Sequence, residues 1–425
     1  MKTSKYNYIV PFGEKHIFFN GITEAFFLVP SERKDTYRTI IENPDKNKDA
    51  FESFVSKMKV QGFVVDDGVD EMKKVKEKFN LLTVPEQYFL LVLPTYQCNL
   101  RCWYCVQNHE NLFMTDEVLE NLKMLIRRKL SDESIKELHL SWFGGEPLLA
   151  YDKVLSLTLF ARDYADENGK GFSSAVTSNG TLLTPERIDA LRDAGVVNYQ
   201  ITIDGDRDMH NSIKKLGEIS AYDRTLDNIN LIARHTHVNL RFNYTHDNLR
   251  PRMIFESLRS KLNPDVVKNI NFTIFKVWQE DQKSVNERDV DRLFNLGMET
   301  GMRSSLQTAG LCYADHVHYD CVLPNGRVGK CDNHSPEDMP GMLQSDGTIL
   351  WGEDMTEFYR PHLFDGKQKQ CETCGYLPIC WGPCVAKREA MLKTNGMIGC
   401  MYQDKEDDMK RLILNTCKTR LQVTQ

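Results

Sequence analysis

Three thiols stand at Cys98, Cys102 and Cys105, in the run Tyr96-Gln97-Cys98-Asn99-Leu100-Arg101-Cys102-Trp103-Tyr104-Cys105, and the next cysteine is Cys312. A structural zinc site closes with four ligands, and a cubane iron–sulfur cluster also has four metal corners. Three thiolates leave one corner open, where a small molecule can coordinate, and this separates catalytic from structural metal sites. A partial zinc site or three buried thiols is the plainer alternative. Further along, Leu140-Ser141-Trp142-Phe143-Gly144-Gly145-Glu146-Pro147 closes an apolar stretch with two glycines. Their backbone can approach a ligand without Cβ interference, and their carbonyls can accept from an ammonium group. Val176-Thr177-Ser178-Asn179-Gly180 places compact polar side chains where ribose hydroxyls need partners; strand-turn chemistry at Asn179-Gly180 explains the same residues. Arg241, on an otherwise apolar stretch, must find an anion. A ligand carboxylate is one option, and an internal salt bridge, for instance with Asp204 or Glu146, is the other.

Together these runs resemble the radical S-adenosylmethionine enzymes, whose Cys-x3-Cys-x2-Cys loop carries a 4Fe-4S cluster. The resemblance implies that the amino and carboxylate groups of S-adenosylmethionine chelate the open iron. One electron then splits the sulfonium and releases a 5'-deoxyadenosyl radical that abstracts a substrate hydrogen. It further implies that Trp103 or Tyr104 supplies the aromatic position of the loop, that Gly144 and Gly145 contact the methionine amine with Glu146 behind them, and that Ser178 and Asn179 meet the ribose. Arg241 is expected at the cofactor carboxylate, and Gln200-Ile201-Thr202-Ile203-Asp204-Gly205 resembles the family's strand at the active-site mouth.

The C-terminal cysteines form a second constellation. Cys312 is followed by thirteen residues, Gly326, four residues and Cys331; Cys371-x2-Cys374-x5-Cys380-x3-Cys384 and Cys400 come after. This is similar to the SPASM domain, an auxiliary-cluster module of radical enzymes that modify peptides and proteins. Cys321 makes eight, enough for two fully ligated 4Fe-4S clusters and three clusters in all. The turn signal Pro324-Asn325-Gly326 predicts a hairpin that brings Cys321 and Cys331 close together. The family's interleaved pattern implies Cys312, Cys321, Cys331 and Cys384 for the first cluster, and Cys371, Cys374, Cys380 and Cys400 for the second. Two zinc sites, or an auxiliary cluster with an open corner, are the alternatives. Cys417 is left over as a small buried hydrophobe. Asp332 directly follows Cys331, and resemblance to sulfatase-maturing enzymes implies a catalytic base there. A solvated turn residue, before Asn333-His334-Ser335-Pro336, is the alternative.

The elements that must position these residues follow from periodicity. Residues 1–85 read as three strands and three helices, a small α+β winged-helix-like domain. From Tyr88 a strand-then-helix rhythm repeats six times, with strands at 88–95, 136–143, 172–178, 197–203, 237–244 and 268–277. Helices are expected at 115–130, 151–167, 185–194, 221–234, 252–261 and 287–300. The fold class is α/β, a partial (β/α)6 TIM-type barrel over 86–304, with catalytic groups at the strand C-termini. Residues 305–402 form a cysteine-rich iron–sulfur domain, and 403–425 a C-terminal helix.

With 41% hydrophobic and 27% charged residues, 425 residues suit a globular protein of two or three domains. The net charge of -6 gives no general attraction for nucleic acid or anionic membrane. No signal peptide or spanning segment stands out, so a cytoplasmic protein is expected, and twelve cysteines in that compartment argue for metal ligation. The reading is an anaerobic oxidoreductase-type peptide maturase. It abstracts hydrogen from a ribosomally made precursor and installs a crosslink, thioether, epimer or related product. Its partners are the precursor peptide, whose leader adds to the strand near Phe26 to Val29, and an electron donor such as flavodoxin or ferredoxin. A domain that merely caps the barrel is the alternative for 1–85. An anaerobic sulfatase maturase, forming formylglycine from Cys or Ser, and a non-enzymatic zinc or iron–sulfur scaffold are the alternatives for the whole chain.

Overall fold

A computed structural model describes residues 1–422 apart from 108, 281–283, 307–309, 333–336, 338, 353–362, 365–367 and 403. The expected Asn333-to-Pro336 turn and the ends of the expected 403–425 helix therefore lie outside the described residues. By compactness the chain forms two units, one of residues 1–84, 308–317 and 360–425, the other of 85–307 and 318–359.

In the first unit, β1 (Lys2–Thr3) pairs with β5 (Val64–Val65), and β2 (Asn7–Phe12), β3 (Lys15–Asn20) and β4 (Phe26–Pro30) form an antiparallel sheet in the order β2-β3-β4. Side chains alternate across a strand, so the near-continuous apolar run of β3 needs cover on both faces. Phe18 packs with Phe63, Met58 and Ile41, beneath the helices Lys34–Glu42 and Glu52–Val60. Ile17 and Phe19 pack with Ile413 and Cys417 of the helix Lys405–Leu421. The last helix is thus the second layer of the N-terminal sheet, and Cys417 is a buried core residue within it. Glu24 ties the two ends of the chain, taking Lys78 at 2.8 Å and the guanidinium of Arg420.

Among the described residues, the second unit is built on an eleven-stranded sheet. Its parallel part runs through β6 (Gln87–Val92), β7 (Glu137–Trp142), β8 (Gly171–Ser178), β9 (Val196–Ile203), β10 (His237–Tyr244), β11 (Ile270–Lys276) and β12 (Arg303–Leu306). Helices Asp116–Leu130, Tyr151–Glu167, Pro185–Asp193, Ala221–Ile232, Pro251–Arg259 and Glu287–Glu299 follow successive strands. Their starts are capped as the sequence suggests, Thr115, Thr184 and Ser220 each accepting a backbone N–H of the first turn. Trp142, fully buried, donates its indole N–H to Thr158 at 3.0 Å across the strand–helix interface.

The sheet extends beyond the six expected units on both sides. β12 follows the sixth helix, and β13 (Tyr319–Val322) pairs in parallel with β6 on the other side. β13 then continues antiparallel through β14 (Arg327–Gly329), β15 (Gly341–Leu343) and β16 (Ile349–Trp351). Four-residue strands of composition Arg-Ser-Ser-Leu and Tyr-Asp-Cys-Val carry no alternation to detect. Asp320 tolerates burial in β13 because Tyr88 donates to it at 3.0 Å and Lys129 lies at 3.0 Å.

In the first unit Arg388 and Asp315 form a buried ion pair at 2.5 Å. Removing one partner of such a pair strands a charge, whereas replacing both is tolerated. Arg388→Met should lower the unfolding free energy by about 3–5 kcal/mol in chemical denaturation, and Asp315→Leu added to it should recover most of the loss.

Candidate functional site

The C-terminal ends of β6 to β11 surround a cavity of about 310 Å3. Cys98, Cys102, Cys105 and Tyr104 line it from the loop after β6, Gly144 and Gly145 from the loop after β7, and Ser178 and Asn179 from the end of β8. Arg241 reaches it from β10, and Asp332 lies in its wall from beyond the β13–β14 hairpin. Ten of the residues singled out in the sequence therefore share one cavity.

The two glycines serve the cysteine loop directly. A Cβ on Gly144 would lie 2.5 Å from the Thr95 carbonyl oxygen, and one on Gly145 would lie 2.2 Å from that of Gln97. Gly145 N–H donates to Thr95 and Glu146 N–H to Gln97, so the β7 turn holds the strand that enters the loop. Glu146 itself is fully buried behind the cavity. Its carboxylate accepts from Ser178 Oγ at 3.0 Å, Asn179 N at 2.8 Å and Leu148 N at 3.1 Å. Asn179 in turn donates to Asn99 at 2.9 Å and accepts from Thr181. Ser178 and Asn179 face the cavity, with their side-chain donors already engaged in holding the loop.

Polar lining residues that lie outside the runs singled out from sequence include Lys214, Lys276 and Gln279. Lys214, almost fully buried, pairs with the buried Asp204 at 2.6 Å, and Tyr104 donates to the same carboxylate at 2.6 Å. Burial favours the neutral amine, but Asp204, Tyr104 and Cys102 outweigh it and hold the ammonium well above the usual lysine range. The usable signal was Asp204, an acidic strand end that needs a cation. Arg241 donates to Asn243 at 2.9 Å and stacks 4.3 Å over Phe275. The internal anions weighed for Arg241 are engaged elsewhere, Asp204 by Lys214 and Glu146 by Ser178 and backbone.

Burial pushes the Cys98 thiol up to about 11 and raises Cys102, so ligation there must displace protons. Among the described residues no three His, Cys, Asp or Glu side chains converge as ligands of a single ion. Thiols spread around a cavity suit a cluster, whose separate irons hold its ligands apart.

The other cysteines fall into two groups. Cys371, Cys374, Cys380 and Cys400 line one cavity of about 90 Å3 in the first unit. Trp381 and Gly382, with φ of 58° and 76°, turn the chain after Cys380. Burial pushes the Cys380 thiol up to about 12, opposed by a bond from the Gly382 backbone. Of the other expected set, Cys321 and Cys331 belong to the second unit and Cys312 and Cys384 to the first. The expected hairpin is present: Cys321 on β13 lies opposite Gly329, two residues before Cys331. In the first unit, Asp315 N–H donates to Cys312 and Arg388 N–H to Cys384, so their ion pair joins the two cysteine-bearing turns.

Burial raises the Glu146 carboxyl to about 7, against opposing bonds from Asn179, Leu148 and Ser178. The folded chain then holds a proton that the unfolded chain releases near 4.5, so stability falls as pH rises between about 4.5 and 7. In metal-free protein, Glu146→Gln should abolish this fall, on the order of 3 kcal/mol, in denaturation curves recorded across that window.

Residues 92–249 match the model of the Radical SAM superfamily. The radical SAM cyclopropyl synthase TigE of Paramaledivibacter caminithermalis is 22% identical over 394 residues, covering 81% of this chain and 78% of that protein. A GTP 3',8-cyclase of Nautilia profundicola is 32% identical over 123 residues, covering 27% of this chain and only 35% of that enzyme. In fold, the chain is similar to native anSMEcpe with bound AdoMet and Cp18Cys peptide, with a TM-score of 0.58 at 18% identity over 80% of this chain and 100% of that one. Streptococcus suis SuiB bound to precursor peptide SuiA gives a TM-score of 0.51 at 14% identity over 93% of this chain and 97% of that one. The loop of three thiols and the strand ends that hold it thus fall within the stretch, residues 92–249, that matches the Radical SAM superfamily.

Proposed function

We infer that the chain is a peptide maturase that removes a hydrogen atom from a ribosomally made precursor to install a crosslink, thioether, epimer or related change. The observation that carries the reading is the single cavity shared by Cys98, Cys102, Cys105 and Asp332. A base in the wall of a radical-generating cavity suits a reaction in which a substrate loses a hydrogen atom and then a proton. TigE and SuiB, the latter bound to its precursor peptide, support the same direction. So does the N-terminal sheet: β4 is an edge strand, paired among the described strands with β3 alone, and an edge accepts an extended leader by strand addition.

When bound, the open cluster supplies the electron that cleaves S-adenosylmethionine to a 5'-deoxyadenosyl radical. Cys98, Cys102 and Cys105 hold that cluster. Gly144 and Gly145 bound the space for the methionine amine, with Glu146 fixing their turn, and Ser178 and Asn179 shape the ribose side. Arg241 offers its guanidinium to the carboxylate, and Tyr104 closes the wall of the cavity. Cys371, Cys374, Cys380 and Cys400 hold one auxiliary cluster; Cys312, Cys321, Cys331 and Cys384 hold the other. Asp332 takes the substrate proton after hydrogen abstraction, and a flavodoxin or ferredoxin delivers the electron.

The second reading is a sulfatase maturase forming formylglycine, favoured by the place of Asp332 immediately after Cys331. Residues 1–85 ahead of the barrel weigh against it, and the likeness to anSMEcpe spans 80% of this chain whereas that to SuiB spans 93%.

Anaerobic reconstitution should yield about twelve irons per chain, and Cys371→Ala with Cys374→Ala should remove about four. Little iron with two bound zincs would sink the reading. Co-expression with small peptides encoded beside the gene, followed by mass spectrometry, should show a mass lower by two hydrogens for a crosslink. Asp332→Asn should cut that product about a hundredfold while reductive cleavage of S-adenosylmethionine persists. Leader peptides of those precursors should bind the full chain saturably in anisotropy titrations; modification of a sulfatase peptide with no leader binding would favour the second reading.

A further inference from the structure

The cysteine loop has a second face. Along it, Cys98, Leu100, Cys102 and Tyr104 line the inner cavity, whereas the alternate residues Asn99, Arg101 and Trp103 line a separate hollow of about 640 Å3, together with Ser212, Ile213 and Lys215. The loop is therefore a wall one strand thick between that hollow and the thiols.

No acidic residue lines the hollow, and it carries two exposed cations. Among the described residues neither has a carboxylate partner: Arg101 donates to the carbonyls of Cys98 and Leu100, and Lys215 extends from the turn after the helix Arg207–Ile213. The flanking acids Asp208 and Glu218 are outside the lining, and the inner Lys214 is already paired with Asp204. Trp103, 55% exposed, lines the hollow with the two cations and meets Tyr104 edge to face, with ring centroids 5.5 Å apart. A large exposed aromatic sharing a hollow with two cations that have no carboxylate partner has the composition of a protein-binding spot.

We propose that this hollow is the docking face for a small acidic flavoprotein that donates one electron. The assignment rests on the radical reading above, because that chemistry consumes an electron from outside the chain. In the transfer the donor loses one electron and the cluster behind the loop gains it, with no bond made or broken. The chain is net acidic at -6, so an acidic partner is repelled at long range and the local cations decide where it seats. Arg101 and Lys215 engage the donor's carboxylates while Trp103 fills the centre of the contact. Transfer then crosses only the loop, where Trp103 outside touches Tyr104 inside.

The test compares the reconstituted enzyme with Ser212→Glu/Lys215→Glu, which changes the rim on the side away from the cysteines. With purified oxidised flavodoxin as probe, calorimetric Kd should rise about tenfold in the variant, and its dependence on salt should become shallower. Cleavage of S-adenosylmethionine driven by flavodoxin hydroquinone should slow about tenfold, while cleavage driven by dithionite, which needs no docking face, should be unchanged. An unchanged Kd overturns the proposal, as does a loss of dithionite-driven cleavage as large as the loss with flavodoxin. If the unsubstituted chain does not cleave S-adenosylmethionine with dithionite, the proposed function fails, and the flavodoxin Kd still decides the docking face by itself.

Discussion

The geometry of the thiol loop depends on one buried carboxylate. Glu146 has no exposure, yet it receives bonds from Ser178 and Asn179 at the end of β8 and, through its own N–H, donates to Gln97 at the entry of the loop. An acceptor of this capacity can join three chain segments that are far apart in sequence, provided every lone pair finds a donor. The two preceding glycines let the segments approach within distances that no Cβ permits. The cost is a carboxyl whose ionisation is disfavoured by burial, so the joint is strongest when its full set of donors is in place.

A second buried charge arrangement stands on the other side of the same cavity. Asp204 ends β9 and is met by Lys214 and by the Tyr104 hydroxyl, with Asn243 3.4 Å from that hydroxyl. Such a pair is weak evidence for stability, because desolvation consumes most of its Coulomb energy. Its value is directional: it anchors Tyr104, and hence the middle of the cysteine loop, to a strand end. The loop is thus held from both flanks, by Glu146 near Cys98 and by Asp204 near Cys102 and Cys105.

The first compact unit solves a different problem. A three-stranded sheet is too small to form a core alone, and β3 is apolar on both faces. Helices from residues 34–60 cover one face and the helix Lys405–Leu421 covers the other, so the start and end of the chain share a core. Cys371, Cys374 and Cys380 sit in the same unit, where Tyr8 stacks on Tyr376 at 5.2 Å and Trp381 packs with Phe79. The small helices that carry these cysteines gain their rigidity from N-terminal side chains.

Much of this was legible in the sequence. The strand expected at 237–244 is β10 with the same bounds, and the helix expected from 115 begins one residue later only because Thr115 is its cap. These elements declare themselves through periodicity and caps, which are properties of neighbouring residues. The spacing of Cys98, Cys102 and Cys105, and the Gly-Gly and Ser-Asn runs that share their cavity, are local in the same sense. What stayed hidden depends on residues distant in the chain: Lys214 reads as a solvated charge until Asp204 is seen beside it, and β13 reads as irregular until β6 supplies its hydrogen bonds. The helix Lys405–Leu421 shows no sign in its own pattern that residues 7–30 will cover it. Sequence by itself determined the chemistry available and the elements that present it, because both are written in short-range order. Only the tertiary structure decided which charges are buried together, which loop face meets solvent and which segments share a core, because burial is a property of contacts and not of spacing.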